Sequence, residues 1–213
     1  DPARRFVVVS APGKRYSEDI KVTDLLYACY KESVEKGSCA ETFQKIRRRF
    51  HSIVAELGME SFDIESILNE TEKEIESRRS ADFTASRGEY LNARIVAARL
   101  GWKFVDAKDI IFFNARGQFD EARSYPLIEK TLSACGHAVI PGFYGTDADG
   151  NIKTFSRGGS DISGSIVARA MNADVYENWT DVSGFLACDP RIVEKPEKIE
   201  VISFKELREL SYM

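Results

Sequence analysis

The chain has 213 residues, 43% of them hydrophobic, so it is long enough to bury a substantial core as one domain or as a large piece of a longer one. Its formal net charge of −4 argues against a nucleic-acid-binding protein, which usually has a basic balance. It contains neither an apolar run of about eighteen residues nor an opening signal-like segment. We therefore expect no membrane span and a cytoplasmic location.

Cysteine and histidine are sparse, and neither residue type shows the spacing of a metal site. The cysteines are also too few for a disulfide scaffold, so free thiols are expected. Neither histidine has a neighbour that would mark it as a general base. The sequence thus predicts no metal ligand and no catalytic histidine. The residues concerned are Cys29, Cys39, Cys135, Cys188, His51 and His137.

The first half of the chain is predicted to contain one strand followed by four helices. Phe6–Val9 is a continuous β-branched run that ends in a loop, which is typical of a parallel strand buried on both faces. Helices are predicted over 23–35, 40–57, 64–78 and 88–100, and glycines stand at three of the predicted ends. The side chains predicted to face the core are Leu25, Leu26, Cys29, Tyr30 and Val34 in the first helix, and Leu91, Ile95 and Ala98 in the fourth.

The second half is predicted to alternate strands with helices. Strands are expected over 103–106, 110–113 and 138–140, helices over 120–134 and 161–171, and an extended run over 173–179. The segment 147–151 has the composition of a hairpin turn between 143–146 and 152–155, and it lacks the remaining ligands of a calcium loop. The repeated order of strand, loop and helix predicts an α/β protein with a mainly parallel sheet.

The segment 156–164 places a cation, two glycines, a hydroxyl and a carboxylate at the opening of a predicted helix. Gly158 and Gly159 allow backbone N–H groups to turn toward an anion, and the helix dipole adds positive potential. This pattern predicts a phosphate or carboxylate site. The alternative is an ordinary turn in which Ser160 or Asp161 only caps the helix.

Seven motifs, in order, resemble those of the aspartokinases of the amino acid kinase family, and the similarity extends over nearly the whole chain. The resemblance implies a three-layer αβα sandwich with a mainly parallel central sheet. It also implies that residues 1–213 belong to one catalytic domain, without its first strand and its C-terminal part. The motifs are Val7-Val8-Val9-Ser10-Ala11 with Gly13-Lys14, Val22-Thr23-Asp24-Leu25-Leu26, Ser86-Arg87-Gly88-Glu89, Pro141-Gly142-Phe143, Arg157-Gly158-Gly159-Ser160-Asp161, Trp179-Thr180-Asp181-Val182 and Asp189-Pro190-Arg191-Ile192-Val193.

The resemblance further implies that the β-carboxylate of L-aspartate is phosphorylated by ATP with Mg²⁺, the first step toward lysine, threonine and methionine. Aspartate is already ionised at neutral pH and needs no general base, so catalysis depends on alignment and charge neutralisation. The implied aspartate contacts are Thr23, Glu89, Arg157 and Ser160, with Asp161 orienting the reacting groups. The implied nucleotide contacts are Gly158, Gly159, Thr180, Asp181, Leu186 and Arg191.

Relatives carry a Lys-Phe-Gly-Gly strand ahead of the position where this sequence begins, and ligand-sensing ACT domains after the position where it stops. The 213 residues alone are therefore expected to be inactive, and the full-length protein is expected to be a homo-oligomer. Other kinases of this fold, acting on glutamate, a nucleotide monophosphate or carbamate, are alternatives, as is a non-catalytic sensor. Taken without the family, Glu89 could be an acid near a helix N-terminus and Arg157 a surface ion-pair partner.

Overall fold

The computed structural model describes residues 3–78, 80–156, 158–180, 184–189 and 192–212. The chain divides into two compact units, residues 1–176 and 177–213. In the second unit, the helix Phe204–Tyr212 and an isolated bridge between Leu186 and Lys198 are the regular elements of its described part. All the other elements described below belong to the first unit.

The first unit combines helices with a short parallel sheet, as the sequence predicts. Its strands are β1 (Phe6–Val9), β2 (Lys103–Phe104), β3 (Ala138–Pro141), β4 (Tyr144–Thr146) and β5 (Ile152–Thr154). Its helices are α1 (Val22–Lys36), α2 (Ala40–Glu56), α3 (Ile64–Arg78), α4 (Ala81–Leu100), α5 (Glu121–Ser133) and α6 (Gly159–Ala170), with a 3-10 turn at Ala107–Asp109.

The three parallel strands lie in the order β1-β3-β2, with Val7 and Phe104 both opposite Val139. Successive side chains of a strand point to opposite faces. On one face Val7, Val9 and Val139 pack with Ala93 and Ala97 of α4. On the other face Ala138 and Ile140 pack in a core with residues of α5 and α6. Helices therefore cover both sides of the sheet, which confirms the three-layer arrangement.

All residues of the central strand β3 are buried. The prediction that β1 is buried on both faces is wrong, because its four residues are only half-buried. The reason is position, since within the described residues β1 pairs with β3 alone. The antiparallel hairpin of β4 and β5 is confirmed. Its turn is held by the carboxylate of Asp147, which accepts hydrogen bonds from the N–H groups of Asp149 and Asn151 at 2.9 and 2.8 Å.

Two predicted strands are absent from the described part of the chain. The run 110–113 is buried but forms only isolated bridges, from Phe112 to Thr146 and from Phe113 to Phe119. It follows the 3-10 turn and never extends into a ladder. The run 173–179 has β-forming side chains, but they remain largely exposed and pair with no strand among the described residues. A β-branched or aromatic composition does not suffice where no partner strand lies alongside.

Helix α4 begins at Ala81, seven residues before its predicted start. Residues 83–89 are all buried, so this part of the helix lacks the polar face by which an amphipathic pattern is recognised. Two inward predictions were also wrong: Val34 is 49% exposed and Ala98 is exposed. On α1 the residue that faces the core is Ser33, next to Val34. Ser33 is fully buried, and its hydroxyl donates a hydrogen bond to the carbonyl of Tyr30.

The start of α4 depends on a side-chain cap, which gives a first testable prediction. The hydroxyl of Ser80 accepts a hydrogen bond from the N–H of Phe83 at 3.3 Å. Replacing Ser80 with alanine leaves that donor without its cap and should lower the free energy of unfolding by about 1 kcal/mol. Urea denaturation measures this change. Ser77→Ala, on the exposed surface of α3, is the control and should change stability by less than about 0.5 kcal/mol; equal losses in the two variants would contradict the capping role.

Candidate active site

A cleft of about 360 Å³ opens where the loop after β1, the start of α1, helix α4, the loop after β3 and the start of α6 meet. The carboxyl ends of β1 and β3 point to this region, where ligands of open α/β sheets bind. The residues that line the cleft are Ser10, Ala11, Pro12, Gly13, Lys21, Thr23, Glu89, Phe143, Gly158, Gly159, Ser160 and Asp161.

Helix α4 holds the loop after β1 by direct contacts. The amide of Asn92 donates a hydrogen bond to the carbonyl of Ser10 at 2.7 Å, and the carboxylate of Glu89 accepts one from the N–H of Ala11. A Cβ on Gly88 would lie 2.7 Å from the Cβ of Ala11 and 3.3 Å from Leu26. Glycine is therefore needed at position 88 for the loop and α1 to approach α4 this closely.

Glu89 is the most distinctive side chain of the cleft. It is only 5% exposed, and its Oε2 atom is buried without a hydrogen-bond partner among the described residues. Burial raises the pKa of Glu89 to about 7, against smaller opposing effects of backbone N–H groups and of the Arg87 charge. A buried oxygen without a partner is costly, so its presence in a cleft indicates a ligand donor. The alternative of an acid near a helix N-terminus is wrong, because α4 begins at Ala81 and Glu89 lies in its interior.

Another wall of the cleft is built by close contact between two glycines and their neighbours. A Cβ on Gly142 would lie 2.8 Å from the Cα of Ser160, and a Cβ on Gly159 would lie 2.9 Å from the Cα of Phe143. The hydroxyl of Ser163 joins the same segments, since it accepts a hydrogen bond from the N–H of Phe143 and donates one to the carbonyl of Gly159. Close packing and these two hydrogen bonds thus hold the loop after β3 against the start of α6.

Helix α6 begins at Gly159, and its N-cap is Gly158 in the left-handed conformation with φ of 58°. Ser160 and Asp161 thus lie in the first turn, and the alternative in which one of them caps the helix is wrong. The N-cap residue is a glycine, so no N-cap side chain accepts a hydrogen bond from the N–H groups of this first turn. Those donors and the helix dipole are suited to an anion in the cleft.

Six residues predicted for the site line this one cleft, and the others cannot be placed beside it. Thr180 and Leu186 belong to the second unit, and Arg157, Asp181 and Arg191 lie outside the described residues. The six are Thr23, Glu89, Gly158, Gly159, Ser160 and Asp161.

The sequence analysis gave no role to Lys21 or Phe143, which also line the cleft. Phe143 has a φ of 78°, unusual for a residue with a side chain, and this conformation brings it against Gly159. The signal in the sequence was its position directly after Pro141-Gly142. Lys21 stands two residues before Thr23 and supplies positive charge at the start of α1, where a substrate anion could use it.

The family follows from comparison with known proteins. The sequence profile of the amino acid kinase family matches residues 3–213. The chain belongs to the amino acid kinase family. This amino acid kinase chain is 40% identical to aspartokinase 3 of Bacillus subtilis strain 168, over all of its own length and 50% of that protein. It is also 33% identical to the aspartokinase of Rickettsia bellii, over 61% of this chain and 34% of that one.

Solved structures agree with this assignment. The crystal structure of Clostridium acetobutylicum aspartate kinase matches with a TM-score of 0.94 and 51% identity, covering 100% of this chain and 49% of that one. Escherichia coli aspartokinase III in complex with aspartate and ADP matches with a TM-score of 0.76 and 26% identity, over 98% of this chain and 49% of that one. The chain thus spans about half the length of these relatives.

Two kinds of feature are absent from the described residues. None of their helices is long and apolar enough to cross a membrane. Histidine, cysteine, aspartate and glutamate side chains form no group of three or more that could hold a metal ion in the part of the chain that the structure describes.

Proposed function

We propose that the protein phosphorylates the β-carboxylate of L-aspartate with ATP, and that this chain is part of its catalytic domain. The observation that carries the proposal is the buried Oε2 atom of Glu89, which has no hydrogen-bond partner among the described residues and lies in a cleft that also contains the N-terminus of α6. One wall offers a negative charge to an ammonium group, and the other offers N–H groups to an anion. An amino acid that reacts with a phosphoryl donor needs both.

On the amino-acid side, Glu89 accepts hydrogen bonds from the α-ammonium group, and Thr23 provides a hydroxyl contact. Both line the cleft. Arg157 is proposed to bind the α-carboxylate in a bidentate manner, because its planar guanidinium matches two carboxylate oxygens. These contacts fix both α-groups of the amino acid and thereby set how far its side-chain carboxylate reaches.

On the nucleotide side, the N–H groups at Gly158 and Gly159 are proposed to bind phosphate oxygens of ATP, whereas Ser160 beside them is proposed to contact aspartate. A bulky phosphate can approach Gly158 closely, because a Cβ built there meets nothing within 4 Å. We also propose nucleotide contacts for four residues that the structure does not place beside the cleft. They are Thr180, Asp181, Leu186 and Arg191.

Transfer of the phosphoryl group depends more on alignment of the reacting atoms than on removal of a proton. The β-carboxylate attacks the γ-phosphorus in its ionised form, so no residue is needed to accept a proton. Asp161, in the first turn of α6, is proposed to orient the reacting groups and not to act as a base. Mg²⁺ is commonly held by ATP phosphates and water. When bound, the ion would neutralise phosphate charge.

The relatives support the choice of substrate. Proteins named aspartokinase or aspartate kinase match this chain, and one of the matching structures contains aspartate and ADP. The cleft residues Thr23, Glu89 and Ser160 lie within motifs by which the sequence resembles that family.

The proposal predicts selection by side-chain length. Glutamate has one more methylene than aspartate, so with both α-groups fixed its carboxylate is displaced from the phosphorus. A methylene misplaced in a fitted site changes specificity by about 10- to 200-fold. The full-length protein should therefore show a kcat/KM for aspartate at least about tenfold above that for glutamate, measured by ADP release. If the protein preferred glutamate or a nucleotide monophosphate, that compound and not aspartate would be its substrate. If it turned over none of them, a non-catalytic sensor would be favoured.

A further inference from the structure

The loop after β1 forms much of the cleft wall, although its residues, all of which the structure describes, form neither helix nor strand. It extends from Ser10 to Lys21, between the end of β1 and the start of α1. A segment without regular backbone pairing keeps its position only through contacts with other parts of the chain. Those contacts therefore determine the shape of the cleft. The loop residues that line it are Ser10, Ala11, Pro12, Gly13 and Lys21.

The distal part of the loop closes on itself. The guanidinium of Arg15 donates hydrogen bonds from Nε and Nη2 to the two carboxylate oxygens of Asp19, at 2.8 and 2.9 Å. The ammonium group of Lys14 donates one to the carbonyl of Ser17 at 3.0 Å. These contacts join residues of the same segment, so they maintain its local shape without fixing where it lies relative to the cleft.

Two side chains from other elements donate hydrogen bonds to carbonyls of the loop. Asn92 of α4 donates one to the carbonyl of Ser10 at 2.7 Å. Arg49 of α2 donates the other, from Nη2 to the carbonyl of Gly13 at 3.0 Å. No described residue of α2 lines the cleft, so Arg49 acts on the cleft only through the loop.

Gly13 lies two residues from Ala11, where the loop meets Glu89. The Cβ of Ala11 packs against Gly88, since a Cβ built on Gly88 would lie 2.7 Å from it. The N–H of Ala11 donates a hydrogen bond to the Glu89 carboxylate. Consecutive Cα atoms are held about 3.8 Å apart, so a displacement of the loop at Gly13 would be transmitted to Ala11 and to the wall beside Glu89.

The three consecutive arginines of α2 have different surroundings. Arg47 forms an ion pair with Glu72 of α3 at 2.7 Å. Arg48 is exposed and makes no hydrogen bond or ion pair with any residue that the structure describes. Arg49 is half-buried and contacts the loop. A solvated helix face therefore explains Arg48 but not Arg49.

We infer that Arg49 is a positioning residue, which holds the loop after β1 at Gly13 and thereby fixes the wall of the cleft beside Glu89. The inference rests on the proposed function for the identity of the ligand, but the position of the loop can be measured without any ligand. Because Arg49 does not line the cleft, its loss should weaken aspartate binding without slowing transfer in the bound complex.

The test compares wild type, Arg49→Met, Arg49→Lys and Arg48→Met, each in the full-length protein. Methionine keeps an unbranched apolar side chain without a donor, whereas lysine keeps a charged donor. Arg48→Met is the matched control, because it makes the same substitution at the neighbouring position, which has no bond to the loop. Amide hydrogen exchange of peptides covering residues 10–21, measured by mass spectrometry without ligand, reports the loop. Steady-state kinetics gives the KM for aspartate and kcat.

Arg49→Met should accelerate exchange in residues 10–21 by about three- to tenfold, which corresponds to one lost hydrogen bond. The KM for aspartate should rise by a similar factor while kcat changes by less than about twofold. Arg49→Lys should recover most of both changes, and Arg48→Met should match the wild type. If Arg49→Met does not fold, Arg49→Gln is measured in its place with the same expected results, because its side chain is too short to reach the carbonyl of Gly13 as Arg49 does.

Unchanged exchange in residues 10–21 of the folded variant would overturn the inference. Exchange that accelerates equally over the whole chain would also overturn it, since that result indicates general destabilisation. Faster exchange of the loop with an unchanged KM for aspartate would show that the loop position does not matter for binding, and would overturn it as well.

The inference and the proposed function fail in different ways. If the wild type does not turn over aspartate and exchange in the loop still rises in Arg49→Met, the anchoring of the loop by Arg49 is supported and the proposed function is contradicted. If the wild type turns over aspartate and exchange is unchanged in Arg49→Met, only the role of Arg49 is contradicted.

Discussion

Glu89→Gln should weaken aspartate binding by at least about thirtyfold in the full-length protein, because the ammonium group loses its buried anionic partner. Removing one member of a buried, hydrogen-bonded charge pair costs about 2–5 kcal/mol. Nucleotide binding should change little, since the nucleotide contacts proposed at the start of α6 do not involve Glu89, which lies on α4. Calorimetric titration with each ligand measures both effects. Glu70→Gln, on the exposed surface of α3, is the matched control and should bind aspartate as the wild type does.

Glu89→Gln should also remove the pH dependence of aspartate binding. With a pKa of about 7, Glu89 in the free protein takes up a proton as the pH falls below neutrality, and protonation competes with the ammonium group. Wild-type affinity should therefore fall about tenfold for each pH unit well below 7, and Glu89→Gln should not show this trend. A parallel decline in the two proteins would assign the titration to another group.

Stability should change in the opposite direction to binding. The pKa of Glu89 in the folded protein lies above its ordinary value of 4.5, so the fold favours the protonated form. Its stabilising contribution is complete below that value and is lost as the pH rises through about 7. At pH 8 without ligand, Glu89→Gln should consequently melt at a higher temperature than the wild type. Sites that bind ligands commonly show such a conflict between stability and function.

Gly159→Ala should damage both the fold and the cleft. The added Cβ would lie 2.9 Å from the Cα of Phe143 and 3.1 Å from the Cβ of Phe155, and main-chain atoms cannot rotate away. The start of α6 would have to move, at a cost of about 1–3 kcal/mol. Gly13→Ala is the steric control, because a Cβ there meets nothing within 4 Å. Urea denaturation should show a loss for Gly159→Ala alone, and similar stability in both variants would contradict the described packing.

Signals confined to a few neighbouring residues gave correct predictions. The ends of α1 and α4 are marked by Gly37 and Gly101, both in the left-handed conformation that closes a helix. Asp147 determines the hairpin turn by accepting hydrogen bonds within its own loop. Such features depend on local backbone geometry, which sequence composition reports directly.

Features that depend on distant contacts were missed. The early start of α4 could not be recognised, because burial on every side removes its polar face. The burial of Glu89 depends on the loop at Ala11 approaching Gly88, two segments far apart in sequence. The grouping of Thr23, Glu89 and Ser160 in one cleft could be predicted only through the family resemblance.

The most direct test of aspartate phosphorylation is phosphorus NMR of the full-length protein incubated with Mg-ATP and aspartate. For the wild type we expect ADP together with an acyl phosphate signal that hydroxylamine abolishes. For Glu89→Gln we expect both products to form much more slowly than in the wild type. Intact ATP in the wild type, or release of inorganic phosphate without an acyl phosphate that hydroxylamine can trap, would contradict the proposed function.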